Sequence, residues 1–324
     1  MYYQPEIMLE QYDLEIKQIT KGRGAFLCDT QEGKKILMPF RGSMERAEFV
    51  QHILKRLKEK GYPAEQICRT KEDACIVTDE SGIRFWLKEY REGSECQTTR
   101  EYDMLDAAGA IAVFHRQAAG CADEIPAFMH SEKNAPPVLY RRHYRELIQI
   151  KNYVHARKKK NEFERYFWEQ YPHFIAQAKE AVTLLEHTDP QKSVCGFCHG
   201  DCNQHNIIRT ADGVLLINFE NMCYGEPVVD LANFLRKVME KNNWNTDLGK
   251  RILMAYKKER KLLESERQLL YMLLLFPEKF WKITNHYSNS HKAWVSGRDI
   301  EKLQKLIRAE HARVQFLENV FSFL

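Results

Sequence analysis

The 324-residue sequence predicts an α+β protein of two lobes, strand-rich over 1–94 and mainly helical over 95–324. Three observations predict it. Short apolar runs separated by glycine turns fill residues 12–90. Near Gly93 the hydrophobic period changes from alternation to helical spacing. One turn-bounded β element, 207–217, interrupts the helical remainder. The composition, 44% hydrophobic and 29% charged, is ordinary for a globular chain with a sizeable core. It excludes collagen-like, low-complexity and repeat architectures.

Residues 12–40 read as strands. Lys21-Gly22-Arg23-Gly24 and Gln31-Glu32-Gly33 supply the turns, because glycine adopts positive φ at no steric cost. Residues 44–60 read as a helix, with Phe49, Val50, Ile53, Leu54 and Leu57 at helical spacing and a stop at Gly61-Tyr62-Pro63. Ala74–Val77 and Ile83–Leu87 follow as strands joined by Asp79-Glu80-Ser81-Gly82. Thr98-Thr99-Arg100-Glu101 resembles a capping box opening a helix to about Gln117. Long helical patterns then cover about 140–187, 247–286 and 298–318.

The longest apolar run, Leu269 to Phe276, is far shorter than the roughly 20 residues of a membrane span. The start, Met1-Tyr2-Tyr3-Gln4-Pro5-Glu6, has no basic n-region and no apolar h-region, so the expectation is synthesis on the cytosolic side. Nine scattered cysteines then imply reduced thiols. The net charge of +4 is uneven: residues 141–165 hold nine Lys or Arg against three Glu, centred on Arg157-Lys158-Lys159-Lys160. That cluster reads either as a solvated helix face or as a contact for an anionic partner. No nucleic-acid module signature accompanies it, so nucleic acid is not expected.

The segment richest in chemistry is His199-Gly200-Asp201-Cys202-Asn203-Gln204-His205-Asn206. Ile207-Ile208-Arg209, a turn at Ala211-Asp212-Gly213, Val214–Ile217 and Asn218-Phe219-Glu220 follow it. A hairpin of this size brings its outer ends together, so residues 201, 206, 218 and 220 should share one small region. Phosphoryl transfer uses such a group: an Asp to accept or orient a hydroxyl, an Asn five residues on to bind a metal, and a carboxylate after the returning strand to bridge metal and phosphates. Asp201 and His199 are the candidate catalytic residues. Asn206, Asn218 and Glu220 are the candidate metal ligands. Cys195-Gly196-Phe197-Cys198-His199 also reads as a haem-attachment pattern, and with Cys202 as a zinc site. Haem attachment needs export and zinc needs a second ligand pair, so neither haem nor zinc is expected.

His199 to Asn206, with Gly225-Glu226-Pro227-Val228-Val229-Asp230-Leu231-Ala232, resembles the aminoglycoside and choline phosphotransferase superfamily of protein kinase-like proteins. Phe40–Ser43, Lys158–Glu164, Asp230–Trp244 and Phe276–Lys282 are similar to the CotS family of bacterial spore coat proteins, as is the tail around Lys292-Ala293-Trp294. The resemblance implies a two-lobed protein kinase-like fold, with a β-rich nucleotide-side lobe and the catalytic-loop hairpin at 199–220. It also implies a place in the spore coat, with other coat proteins as partners.

Two positions depart from an active kinase. Asn218 stands where the resemblance implies a metal-bridging Asp. Loss of one charged stabiliser typically costs on the order of 10²–10³ in rate. Glu220, two residues on, would face the same side of a strand and partly substitute. Met38 stands where the resemblance implies the phosphate-binding Lys, while Lys88 reads as a surface residue. Gly22 and Gly24 either cover a nucleotide or form a plain hairpin turn. Binding of ATP and Mg²⁺ is therefore expected to be weak or absent. Two readings remain open: a degenerate kinase acting structurally in coat assembly, and a phosphotransferase acting on a small molecule or coat protein.

Overall fold

The computed structural model describes residues 4–22, 24–130, 135–290 and 297–322. Arg23 of the first glycine turn and the 292–294 tail lie outside the described residues.

A short helix α1 (Pro5–Leu9) precedes a five-stranded antiparallel sheet of order β1-β2-β3-β5-β4. The strands are β1 (Ile16–Lys21), β2 (Phe26–Thr30), β3 (Gly33–Pro39), β4 (Val77–Thr78) and β5 (Arg84–Glu89). Between β3 and β4 lies helix α2 (Met44–Glu59), whose N-cap Ser43 accepts the Arg46 N–H. The predicted turns are present, and the Asp79 carboxylate closes the β4–β5 turn by accepting the N–H groups of Ser81 and Ile83.

Around β5 the sheet carries buried residues on both faces, since successive side chains point to opposite sides. Phe26, Cys28, Leu37, Phe85 and Leu87 pack beneath Met8, Leu9 and Tyr12. Trp86 belongs to the opposite face, with Phe40 and the α2 residues Val50, Ile53, Leu54 and Leu57. Direct pairing of Met38 with Trp86 and of Ile36 with Lys88 puts the side chains of Met38 and Lys88 on that same face. Lys88 is 1% exposed. It is therefore not a surface residue, contrary to the sequence reading.

The chain crosses into the helical part at β6 (Ser94–Glu95), which pairs with β8 (Ile207–Thr210), itself paired with β9 (Gly213–Leu216). Gly93 permits the crossing: a Cβ there would lie 2.6 Å from the Arg209 carbonyl oxygen. Helix α3 (Glu101–Ala118) starts at Glu101 after Arg100, without a side-chain cap, so the expected capping box is absent. The Asp103 carboxylate instead accepts the Gln97 N–H, and it also holds Arg209 of β8.

The two long helical patterns are interrupted. Residues 140–187 form α4 (Pro136–Ala156) and α5 (Glu162–Glu186). They break at Arg157–Asn161 because Asn161 caps α5 in a capping box with Glu164. The basic cluster is thus a turn and not a helix face. Residues 247–286 form α7 (Thr246–Glu259), α8 (Glu264–Leu275) and α9 (Glu278–Asn289), with Pro277 separating the last two. Helix α6 (Val228–Lys241) follows the hairpin, and α10 (Gly297–Phe321) packs across α5, α7, α8 and α9. Strands β7 (Gly196–Cys198) and β10 (Cys223–Gly225) pair and bracket residues 199–222. All nine cysteines are free thiols. Among the described residues, no helix is long and apolar enough to cross a membrane.

Candidate functional site

The segment 199–206 runs from β7 into β8, and a buried carboxylate fixes it. Asp230, on the first turn of α6, accepts the backbone N–H groups of His199 and Gly200. Burial works against its charge, but the hydrogen bond and charge of His115 and the His199 N–H hold its pKa below the ordinary range. Burial lowers the His115 pKa against the pull of Asp230. His115 Nε2 lies 3.1 Å from Asp230, and its Nδ1 lies 2.8 Å from the Tyr256 hydroxyl. Gly200 is required where it stands: its φ is +81°, and a Cβ would fall 2.1 Å from the Asn221 carbonyl oxygen.

His199 is buried, and both its ring nitrogens are used inside the loop. Nδ1 accepts the Asp201 N–H, so Nε2 carries the proton it donates to the Ile217 carbonyl. The imidazole ties the start of the loop to the end of β9. Neither nitrogen is free for haem or zinc.

The hairpin brings together the four residues expected to meet. Asn206 Nδ2 donates to the Asp201 carboxylate at 3.0 Å, and Asn218 Nδ2 donates to Asn206 Oδ1 at 2.9 Å. Asn218 has φ 67° and ψ 61°, in the left-handed region that Asn tolerates better than most residues. Residues 219–221 form a 3₁₀ turn, so Glu220 reaches the site from a turn and not from a strand face as expected. Its carboxylate lies 4.0 Å from Lys88. Burial raises its pKa, partly offset by Lys88, and Oε2 is buried without a hydrogen-bond partner.

The sequence reading missed the centre of this group. Lys88 Nζ donates to Asn218 Oδ1 at 3.0 Å and to Glu65 at 3.1 Å. Glu65, in the loop after α2, also accepts the N–H groups of Asn218 and Phe219. Burial opposes its ionisation, yet Lys88 and these two N–H groups hold its pKa below the usual carboxylate range. The cation sought at Met38 thus stands one strand over, on the same sheet face, while Met38 packs against the core. A signal was present: in Phe85-Trp86-Leu87-Lys88 the lysine shares a face with Trp86, the kind of residue a core face holds. Glu65, in an irregular loop, carried no comparable signal.

Gly22 and Gly24 form a hairpin turn between β1 and β2, closed by the Gly22 N–H on the Ala25 carbonyl at 2.8 Å. Strand β3 separates β2 from the strand that bears Lys88.

The residues at 206, 218 and 220 do not fit a divalent ion in this arrangement. Asn206 Oδ1 accepts from Asn218, and Asn218 Oδ1 accepts from Lys88, which leaves Glu220 Oε2 as the free oxygen of the three candidates facing the cluster. An ammonium already sits among Glu65, Glu220 and Asn218. Among the described residues, no three His, Cys, Asp or Glu are grouped to hold a metal.

On its other side Asp201 opens onto a cavity of about 1030 Å³ between the 199–206 loop, α6 and α10. Its side chain is 45% exposed, and the carboxylate lies 3.8 Å from Lys237 of α6.

The family described as "Spore coat putative kinase YutH" matches residues 5–320. The chain belongs to this family. It is 26% identical to Spore coat protein S of Bacillus subtilis (strain 168), over 94% of this chain and 89% of that protein. An aminoglycoside phosphotransferase from Alicyclobacillus acidocaldarius superposes with a TM-score of 0.86 at 19% identity, covering 100% of this chain and 98% of the other. Spectinomycin phosphotransferase, in complex with ADP and spectinomycin, superposes at 0.67 with 12% identity, covering 95% and 96%. The spore coat family member thus has the kinase-like fold, with its small antiparallel sheet and helical remainder.

The Arg157–Lys160 turn is partly occupied within the protein. Arg157 pairs with the buried Glu164 at 3.1 Å, and the Lys160 ammonium stands 5.4 Å from the Trp168 ring centre. Lys158 and Lys159 are exposed.

Proposed function

We propose that this chain works in the spore coat as a kinase-fold binding protein and not through phosphoryl turnover. One observation carries the reading: on the nucleotide side of Asp201, Lys88, Glu65, Asn218 and Asn206 satisfy one another. A metal–nucleotide complex would have to break these bonds, and Asn218 offers it no negative charge in return. Lys88 keeps a cation near the cluster, so what opposes a metal–nucleotide complex is the neutral Asn218 and the bonding of the metal-facing oxygens, not Met38. In this reading Asp201 is retained because it accepts from Asn206 and so holds the loop. His199 positions the same loop through Asp201 and Ile217. The partners are other coat proteins, and Lys158 and Lys159 leave part of the 157–160 turn available to an anionic one.

The specific observation on the other side is the Lys88–Glu65 pair itself. A lysine–glutamate pair in the small lobe is one of the parts an active kinase needs. With Asp201 half-exposed at an open cavity, it supports a phosphotransferase as the second reading. The acceptor would differ from those of the structural neighbours: aminoglycosides are polyamines, whereas this cavity presents six Lys or Arg against two carboxylates.

Nucleotide titration with and without Mg²⁺, followed by a hydrolysis assay, separates the two. Weak binding, insensitive to Mg²⁺, is expected. Low-micromolar Mg²⁺-dependent binding with turnover would overturn the binding reading. In the native host, Asp201→Asn should leave coats normal, because it keeps one acceptor oxygen and removes only the base. Loss of coat assembly with a folded variant would favour the enzyme.

A further inference from the structure

We infer that the cavity beside Asp201 is a binding site for a multiply charged anion, a ligand carrying at least two carboxylate or phosphate groups. The inference extends the binding reading above by stating what the acceptor side of the same loop holds.

The charge is arranged on two walls. Lys237 and Lys241, four residues apart, share one face of α6, and Lys279 joins them from the first turn of α9. On the opposite wall, Lys302, Lys305 and Arg308 recur every three residues along α10. At about 1.5 Å rise per residue they form a ridge of roughly 9 Å. Asp201 and Glu240 are the carboxylates that line the space.

The internal pairings use only part of this charge. Glu240 takes Lys279 at 3.0 Å, Asp201 stands 3.8 Å from Lys237, and Lys302 pairs along its helix with Asp299 at 3.1 Å. Lys241 donates to the neutral Gln204 side chain at 2.7 Å. Among the described residues, no carboxylate pairs with Lys305 or Arg308, and both are exposed. Burial lowers the Lys237 pKa, and its cationic neighbours Lys282 and Arg236 add to the shift against the pull of Asp201. Like charges gathered in a concave space focus potential on what enters it. A single small anion would leave most of them unmatched in about 1030 Å³, a volume at the upper end of the roughly 300–1,000 Å³ of small-molecule sites.

The cavity rim carries a second mark. Asn243 and Trp244, which follow α6 and line the same space, both hold positive φ, 49° and 54°. A bulky residue is rarely found there, and such strain persists only where the surroundings over-determine it. Here Trp244 is pinned against Phe316 of α10, so the strained turn ties the α6 wall to the α10 wall.

The test is calorimetric titration of the full chain at low ionic strength with two probes, fructose 1,6-bisphosphate and hexaglutamate. At least one should bind, with affinity falling as salt rises. Which one binds tells a phosphorylated small molecule from an acidic peptide. Lys305→Glu with Arg308→Glu should weaken binding by about tenfold or more, while Lys55→Glu with Lys58→Glu, exposed on α2 and outside the cavity, should leave it unchanged. An unchanged far-UV spectrum and melting temperature establish that each variant is folded. Failure of both probes at millimolar concentration would overturn the inference. So would binding that survives the α10 reversal. ATP titrated into the same samples with and without Mg²⁺ reports on the nucleotide side, where binding would need Mg²⁺ and survive the α10 reversal, so failure of one reading does not carry the other with it.

Discussion

On the small-lobe side of Asp201, the buried Lys88 and Glu65 and the half-buried Asn218 and Asn206 bond to one another in a chain. On the other side, Lys305 and Arg308 face a cavity with no acidic neighbour within ion-pair range among the described residues. The first arrangement spends its polar groups on holding the fold, and a ligand there must replace bonds already made. The second spends little, and a ligand there adds bonds without breaking any of comparable strength. In a kinase-like fold the nucleotide side would be the open one. Here that side is the bonded one, and the binding reading proposed above rests on this contrast.

The comparison breaks most visibly at Glu65. Glu65→Ala leaves Lys88 buried beside Asn218 and two N–H groups without their acceptor. Removing one partner of a buried pair typically costs about 3–5 kcal/mol, and chemical denaturation should show a loss of that order. The pH dependence follows from the sign of the shift. Because the folded-state pKa of Glu65 is depressed, its contribution is fully present above the ordinary carboxylate range and is lost as pH falls through the lower folded value. The variant should therefore lose less stability on acidification than the parent protein. A variant as stable as the parent would mean that the closed side holds nothing together.

Asn218→Asp probes the same side with a smaller change. Asp also tolerates the left-handed conformation. It loses the hydrogen bond donated to Asn206 Oδ1, about 1 kcal/mol, and gains charge attraction to Lys88. The net effect on stability should be a small loss. The sharper readout is ligand linkage: Mg²⁺ with ATP should raise the melting temperature of the variant more than that of the parent. Equal shifts would show that the neutral amide is not what limits binding there.

Much of this was legible in the sequence, and the gaps have physical causes. The glycine-turn strands of the small lobe, the change of period at Gly93 and the 207–217 hairpin all appear where local chemistry puts them. So does the meeting of residues 201, 206 and 218, because a short hairpin leaves its ends nowhere else to go. The helix breaks at 157–161 and 260–263 were hidden, since neither contains Gly or Pro. The first is set by Asn161, whose capping role depends on the Glu164 side chain folding back. Lys88 was misread because a lysine counts as exposed until its partner is known, and Glu65 is 23 residues away in a loop without periodicity. Asp230 was seen as part of a motif, but its work on the His199 and Gly200 N–H groups shows only in three dimensions.

The open side should answer mutation in the opposite way. Lys305→Ala with Arg308→Ala removes two exposed cations that have no ion-pair partner among the described residues, so no buried group is stranded. Surface changes of this kind usually stay within about 0.5 kcal/mol. The direction should favour the variant, because the pair adds to the like charge already present from Lys237, Lys241 and Lys279 on the facing wall. Screening sharpens the point: added salt weakens repulsion between exposed charges, so it should stabilise the parent more than the variant and draw the two denaturation midpoints together. Loss of a hydrogen bond or of packing would not respond to salt in this way. If the double substitution instead costs as much as Glu65→Ala, the α10 ridge is a structural element like the closed side, and the contrast between the two sides of Asp201 fails.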